Sequence, residues 1–152
     1  MKLKDILKSQ AVCGDLLATD KKGVLEELSK LAEKAYPGME ADHVFKVLLE
    51  RERLGSTGVG NGISIPHGKM PGLSSIVAIF GRSKKGVDFQ AHDQIAAKLF
   101  FVLIAPENVV GNHLQALARL SRLLKGEAIR NQLIESPSED LYQILINEDE
   151  KL

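Results

Sequence analysis

Pro66-His67-Gly68 carries the side chain best suited to chemistry in this chain. Imidazole can be a neutral nucleophile at cellular pH. The histidine follows a run of small residues, Gly55-Ser56-Thr57-Gly58-Val59-Gly60-Asn61-Gly62, and the short apolar piece Ile63-Ser64-Ile65. Small residues let backbone N–H groups come close to an anion. Pro66 lacks an N–H and stiffens the approach, and the N–H groups of Gly68 and Lys69 are candidates to cup anionic oxygens. The expected setting is an exposed loop. Accepting a phosphoryl group on nitrogen needs an accessible, unprotonated ring nitrogen, and the rest is positioning and charge stabilisation. On spacing alone, a histidine that merely caps a strand fits equally well.

Two further residues fit phosphoryl chemistry. His113 follows Gly111-Asn112 at the expected start of a helix, where anions are favoured. An imidazole there would donate to a phosphate on His67; taken by itself, it reads as a solvent-facing residue. Arg51 offers a bidentate fork, or else simply pairs with Glu50 or Glu52; Arg53 competes with it on spacing. His43 and His92 lack a supporting context and read as surface residues. A metal site from His67, His92 and His113 is disfavoured, because the ligands are scattered and the one cysteine, Cys13, is remote. The glycine run has the lysine and hydroxyl in the wrong places for a P-loop. Ser56, Thr57 and Ser64 show no general-base context.

Several elements must position these groups. Val24, Leu28, Leu31, Ala32 and Ala35 recur at helical spacing, with Asp20 or Thr19 as N-cap and Tyr36-Pro37-Gly38 as stop. Ala41, Val44, Phe45, Leu48 and Leu49 mark a second helix, with Arg51 at its C-terminal end. Strands are expected at Ile63 to Ile65, at Ser75 to Phe80 and, buried and central, at Ala97 to Ala105. Gly81 to Gly86 reads as a turn, with a short strand at Val87-Asp88-Phe89. Leu114, Leu117, Ala118 and Leu124 define a third helix, and Ala128 to Ile134 a fourth. Ser136-Pro137-Ser138-Glu139 has capping-box form ahead of a last helix through Leu141, Ile144 and Leu145. The acidic Glu148-Asp149-Glu150 is expected to fray. Together these predict an α/β fold, a mixed β-sheet flanked by helices on both faces, in one layered domain over residues 1–152.

The bulk composition narrows the function classes. The 152 residues suit one domain with a sizeable core, and the 44% hydrophobic and 26% charged content is that of an ordinary globular chain. Lysine plus arginine equals aspartate plus glutamate, 20 of each. Zero net charge argues against a general nucleic-acid binder. No apolar run approaches a membrane span, and Met1 to Lys8 lacks the apolar core of a signal peptide. One cysteine excludes an internal disulfide and fits a cytoplasmic location.

The stretch from Arg51 to Lys69, Arg-Glu…Ser-Thr-Gly…Pro-His-Gly, resembles the signature of the type-2 enzyme IIA domain of the bacterial phosphoenolpyruvate-dependent phosphotransferase system. That is the fructose/mannitol class, and the likeness is strongest to its nitrogen-regulatory branch. It extends through Ala105-Pro106, Asn112-His113-Leu114 and Glu139-Asp140-Leu141-Tyr142 to cover essentially the whole chain. The resemblance implies that His67 is the phosphorylated histidine, His113 the second active-site histidine and Arg51 the active-site arginine. It implies a small phosphocarrier protein as donor and no cofactor. It also implies regulatory target proteins or, alternatively, a separate sugar-specific IIB protein as partners. The lack of a fused acceptor or transporter domain favours regulation over transport. The segment Ser83 to Ala96 is less typical, which leaves the partner-binding rim there open. Val59, Ile63, Met70 and Leu73 are candidates for an apolar docking patch around His67.

Overall fold

Strand β6 (Ala97–Pro106) is buried almost throughout, as its apolar run from Leu99 to Pro106 requires. A strand that hides both sides needs cover on both sheet faces. In this computed structural model, which describes residues 1–108 and 110–152, β6 is the hub of a mixed six-stranded sheet. Antiparallel to it runs β5 (Val77–Val87), and β5 in turn pairs in parallel with the two-residue β1 (Val12–Cys13). Along its other edge β6 carries two short parallel partners in tandem: β3 (Ile63–Ser64) and then β4 (His67–Met70). Strand β2 (Gly58–Gly60) closes a tight antiparallel hairpin with β3. The hairpin turn needs left-handed backbone at three residues in a row, Gly60, Asn61 and Gly62, with φ of 89°, 58° and 78°. Glycine and asparagine are the residues that adopt it readily.

The helices flank this sheet. They are α1 (Lys21–Ala35), α2 (Ala41–Arg53), α3 (Val110–Leu123), α4 (Glu127–Glu135) and α5 (Leu141–Glu150). Asp20 caps α1 as expected, its Oδ1 accepting from the Gly23 N–H at 2.7 Å. The core joins Val24, Leu25 and Leu28 of α1 and Val44 and Leu48 of α2 to the sheet. Within it Phe80 meets Phe101 and Phe89 meets Phe100, with ring centroids 4.9 and 5.0 Å apart.

Four local expectations are corrected. Gly81 to Gly86 is no turn: β5 runs through it, with a register irregularity between Arg82 and Val87. Gly81 answers a packing need instead, since a Cβ there would lie 2.8 Å from side-chain carbons of Leu16 and Leu28. Val87 therefore ends β5 rather than opening a new strand. Ser136 does not form a capping box. It ends α4, and a 3-10 turn over Ser138–Asp140 leads into α5. The buried Arg82 guanidinium occupies that corner, donating to the Gly14, Leu133 and Ser136 carbonyls and to Ser138 Oγ. The acidic tail does not fray. Asp149 is buried and accepts from the Leu3 N–H at 2.8 Å and from Arg119 Nε at 2.6 Å.

Candidate active site around His67 and His113

His67 opens a strand rather than sitting in an exposed loop. It is the first residue of β4, half-buried, with Leu103 of β6 as its register partner. Pro66 separates β3 from β4, and its carbonyl accepts the Leu103 N–H at 3.0 Å. The glycine that follows the histidine is explained by close packing. A Cβ on Gly68 would overlap Val47 Cγ1 of α2, so glycine lets that helix lie against β4. That contact brings the C-terminal end of α2, with Arg51 and Glu52, toward His67.

The His67 ring is anchored on one side only. Its Nδ1 lies 2.8 Å from the Ile65 carbonyl oxygen. A carbonyl can only accept, so Nδ1 carries the proton and the neutral ring has its lone pair on Nε2. Burial pushes the His67 pKa below its ordinary value, and the Arg51 charge adds to the effect. The Ile65 carbonyl and the Glu52 charge oppose it without reversing it.

His113 stands across from it. The two ring centroids are 5.4 Å apart, with planes inclined at 67°. His113 lies in the first turn of α3 and is only 8% exposed. Its Nδ1 is buried and has no hydrogen-bond partner among the described residues. Burial first, then the neighbouring His67 and Lys69, lowers its pKa as well. Two neutral imidazoles thus face each other with ring nitrogens unspent.

Arg51 does not pair with Glu50 or Glu52. It is half-buried, and its Nη1 donates to the Gly55 carbonyl at 2.9 Å, which bends the fork back over the start of the glycine run. Arg53 is exposed, whereas Arg51 lies close enough for its charge to act on the His67 ring. His43 and His92 are exposed, His43 on α2 and His92 beside Asp93.

Glu52 is the residue that the sequence reading undervalued. It is 7% exposed, and its carboxylate accepts from Lys21 Nζ at 2.8 Å and from the Thr57 N–H at 3.0 Å. It also accepts from Thr57 Oγ1, which in turn contacts Ser64 Oγ at 3.1 Å. Thr57 therefore does meet a carboxylate, but inside the protein, where no substrate reaches it. The available signal was the glutamate itself, at the buried edge of an otherwise amphipathic helix.

A family model described as "Phosphoenolpyruvate-dependent sugar phosphotransferase system, EIIA 2" matches residues 5–148. The chain belongs to this enzyme IIA family. It is a phosphotransferase-system component, as the sequence signature implied. This enzyme IIA is 39% identical to a nitrogen regulatory protein of Bradyrhizobium diazoefficiens over 146 residues, 95% of each chain. It is 37% identical over 151 residues, 99% of its length, to the fructose-specific EIIABC component of Bacillus subtilis, of which it spans 24%. Its fold matches the crystal structure of the nitrogen regulatory protein IIA-Ntr from Neisseria meningitidis with a TM-score of 0.86, at 34% identity, covering 93% of this chain and 97% of that one. The mixed sheet flanked by helices is thus the enzyme IIA fold. No helix of the described residues is long and apolar enough to cross a membrane.

Proposed function

We propose that this enzyme IIA is a cytoplasmic phosphocarrier that takes a phosphoryl group onto Nε2 of His67. The donor is a small histidine phosphocarrier protein, and the phosphorylation state then regulates partner proteins of nitrogen-related metabolism. The observation that carries the reading is the ring anchorage: the Ile65 carbonyl holds the proton on Nδ1, which leaves a lone pair on Nε2 in a ring kept neutral by burial.

In the transfer step the Nε2 lone pair attacks phosphorus. The donor's P–N bond breaks, and its electron pair returns to the donor imidazole. His67 keeps its proton on Nδ1, which donates to the Ile65 carbonyl, so the phosphorylated ring is formally cationic. That carbonyl and the Glu52 charge stabilise it. His113 donates a hydrogen bond to one phosphoryl oxygen, and the Arg51 donors not spent on Gly55 meet another.

Partners dock over the same face. Of the four docking candidates, Ile63 and Met70 are core and Leu73 is half-buried, so only Val59 remains an exposed apolar contact. Leu54 and Leu114 are exposed on the segments that carry Arg51 and His113, and they extend the patch. Phosphorylation adds nearly two negative charges there, so a target docking on this face prefers one state.

The test is incubation with phosphoenolpyruvate, the upstream kinase and each candidate carrier, with the label mapped by mass spectrometry at neutral pH. The expected result is one acid-labile phosphate on His67. Wild-type labelling of His67→Ala would refute the assignment. A second reading, a stand-alone fructose/mannitol-type enzyme IIA, is favoured by the match to one part of the Bacillus subtilis fructose component. It predicts efficient onward transfer to a separate sugar-specific IIB protein, whereas the regulatory reading predicts retention of the phosphate.

A further inference from the structure

We propose that Glu52 is a positioning residue for His67: through Thr57 and Ile65 it holds the imidazole with its proton on Nδ1 and its lone pair on Nε2. The inference deepens the phosphocarrier reading and rests on it for its functional consequence.

A continuous path of hydrogen bonds carries the argument. Lys21 Nζ reaches Glu52 Oε2 at 2.8 Å, and the Thr57 N–H reaches the same oxygen at 3.0 Å. Thr57 Oγ1 donates to Oε1, so both donors of Thr57 are fixed by one carboxylate. The Thr57 carbonyl then accepts the Ile65 N–H at 3.0 Å. The Ile65 carbonyl accepts Nδ1–H of His67 at 2.8 Å. Glu52, at the end of α2, thereby sets where the Ile65 carbonyl lies, and that carbonyl sets the tautomer.

The chemistry explains why a charged group sits there. A buried carboxylate is costly unless its oxygens are filled, and an apolar side chain would suit a helix flank better if packing were the only need. A carboxylate only accepts, so it tolerates both Thr57 donors at once. A glutamine amide must turn an NH₂ group toward Lys21 or toward the Thr57 hydroxyl. The first choice loses the two bonds made to Oε2. The second keeps a bond, with the hydroxyl accepting from the amide and donating to Ser64 Oγ, but replaces bonds to a charged carboxylate by weaker ones to a neutral amide. Either weakens the clamp without removing the side chain's bulk. Pro66 adds to the arrangement: it has no N–H to tie down the peptide group that follows Ile65, so the carbonyl's position depends on Thr57 and on the Pro66–Leu103 bond.

The test reads the tautomer directly from the ring-nitrogen chemical shifts of His67 in ¹⁵N-labelled full-length protein. Wild type is expected wholly in the Nδ1–H form. Glu52→Gln is expected to show a mixture with the Nε2–H form and to slow phosphoryl transfer roughly 10-fold, the lower end of what losing the outer partner of a working histidine costs. Thr57→Ser keeps both donors and is expected to keep the wild-type tautomer, while Thr57→Val loses the hydroxyl and is expected to shift it. A folded Glu52→Gln with His67 still wholly in the Nδ1–H form overturns the proposal. If Glu52→Gln does not fold, Thr57→Val decides in the same way. The tautomer readout uses no phosphoryl donor, so failure of wild-type His67 to be labelled would refute the phosphocarrier reading alone.

Discussion

At the scale of single residues, the two histidines differ in what their nitrogens have left to do. His67 spends Nδ1 on the Ile65 carbonyl, and His113 leaves its buried Nδ1 without a described partner. The first arrangement suits a nucleophile and the second a donor waiting for an acceptor. His113→Ala should therefore fold and still be labelled, but roughly 100-fold more slowly, the usual cost of one lost charge-stabilising donor. His92→Ala and His43→Ala should transfer at the wild-type rate. Rapid-quench initial rates decide the matter, and a His92→Ala defect as large as that of His113→Ala would move the second histidine elsewhere. The pH dependence has a definite sign. Burial and the Arg51 charge hold the His67 pKa below its ordinary 6.5, so the reactive neutral form persists as pH falls past that value. The single-turnover rate, with the donor titrated separately, should fall to half only below 6.5. Removing the positive charge in Arg51→Ala should move that drop upward. A wild-type rate already halved at 6.5 would contradict the depressed pKa. Composition and spacing pointed to His67 but left Arg51 and Arg53 equal, because both end the same helix. Exposure separates them, and exposure depends on how α2 meets β4.

At the scale of elements, the contact between α2 and β4 governs the site. It is possible because Gly68 has no Cβ to meet Val47. Gly68→Ala should push α2 away from β4, carrying Arg51 and Glu52 with it. Such overpacking costs about 1–3 kcal/mol, and the displaced arginine should slow transfer as well. Val47→Ala in the same chain makes room for the new methyl group. Transfer in Gly68→Ala/Val47→Ala should recover relative to Gly68→Ala alone, whereas no recovery would mean that glycine serves the backbone rather than the helix contact. Glycine is where the sequence is hardest to read at this scale. Gly81 looked like a turn but is a site of close approach between elements distant in sequence, and Gly68, read for its N–H toward an anion, is such a site too. Periodicity served well where one element packs by its own pattern. The five helices fall close to their apolar spacing, and β6 falls where the apolar run from Leu99 to Pro106 lies.

At the scale of the whole molecule, what local pattern could not reveal is pairing between distant parts. The capping-box form at Ser136 was a sound local reading. It lost to the Arg82 guanidinium, which draws the Leu133 and Ser136 carbonyls and Ser138 Oγ together with Gly14 from the far end of the chain. The acidic tail is a second case. Three consecutive acidic residues near a terminus are expected to fray, but only Glu150 is exposed: Glu148 is half-buried and Asp149 turns inward on the helix. Its carboxylate takes the Leu3 N–H and the Arg119 guanidinium, so it fastens the first turn of the chain and α3 to the last helix. Because α3 carries His113, this clamp bears on the site's support as well as on stability. Asp149→Ala strands the Leu3 N–H and removes the partner of Arg119, whose guanidinium can still turn to solvent. Breaking a buried pair costs about 3–5 kcal/mol, and that exposed escape places the expected loss near the lower end, roughly 3 kcal/mol. For a domain of this size the melting temperature should fall by about 6–12 °C. Asp149→Asn retains an acceptor for Leu3 and should lose less. Hydrogen exchange should quicken at Leu3 and along α5 in Asp149→Ala, while the His67 tautomer stays as in wild type. An unchanged melting temperature in Asp149→Ala would mean that the two ends of the chain are held by their apolar contacts alone.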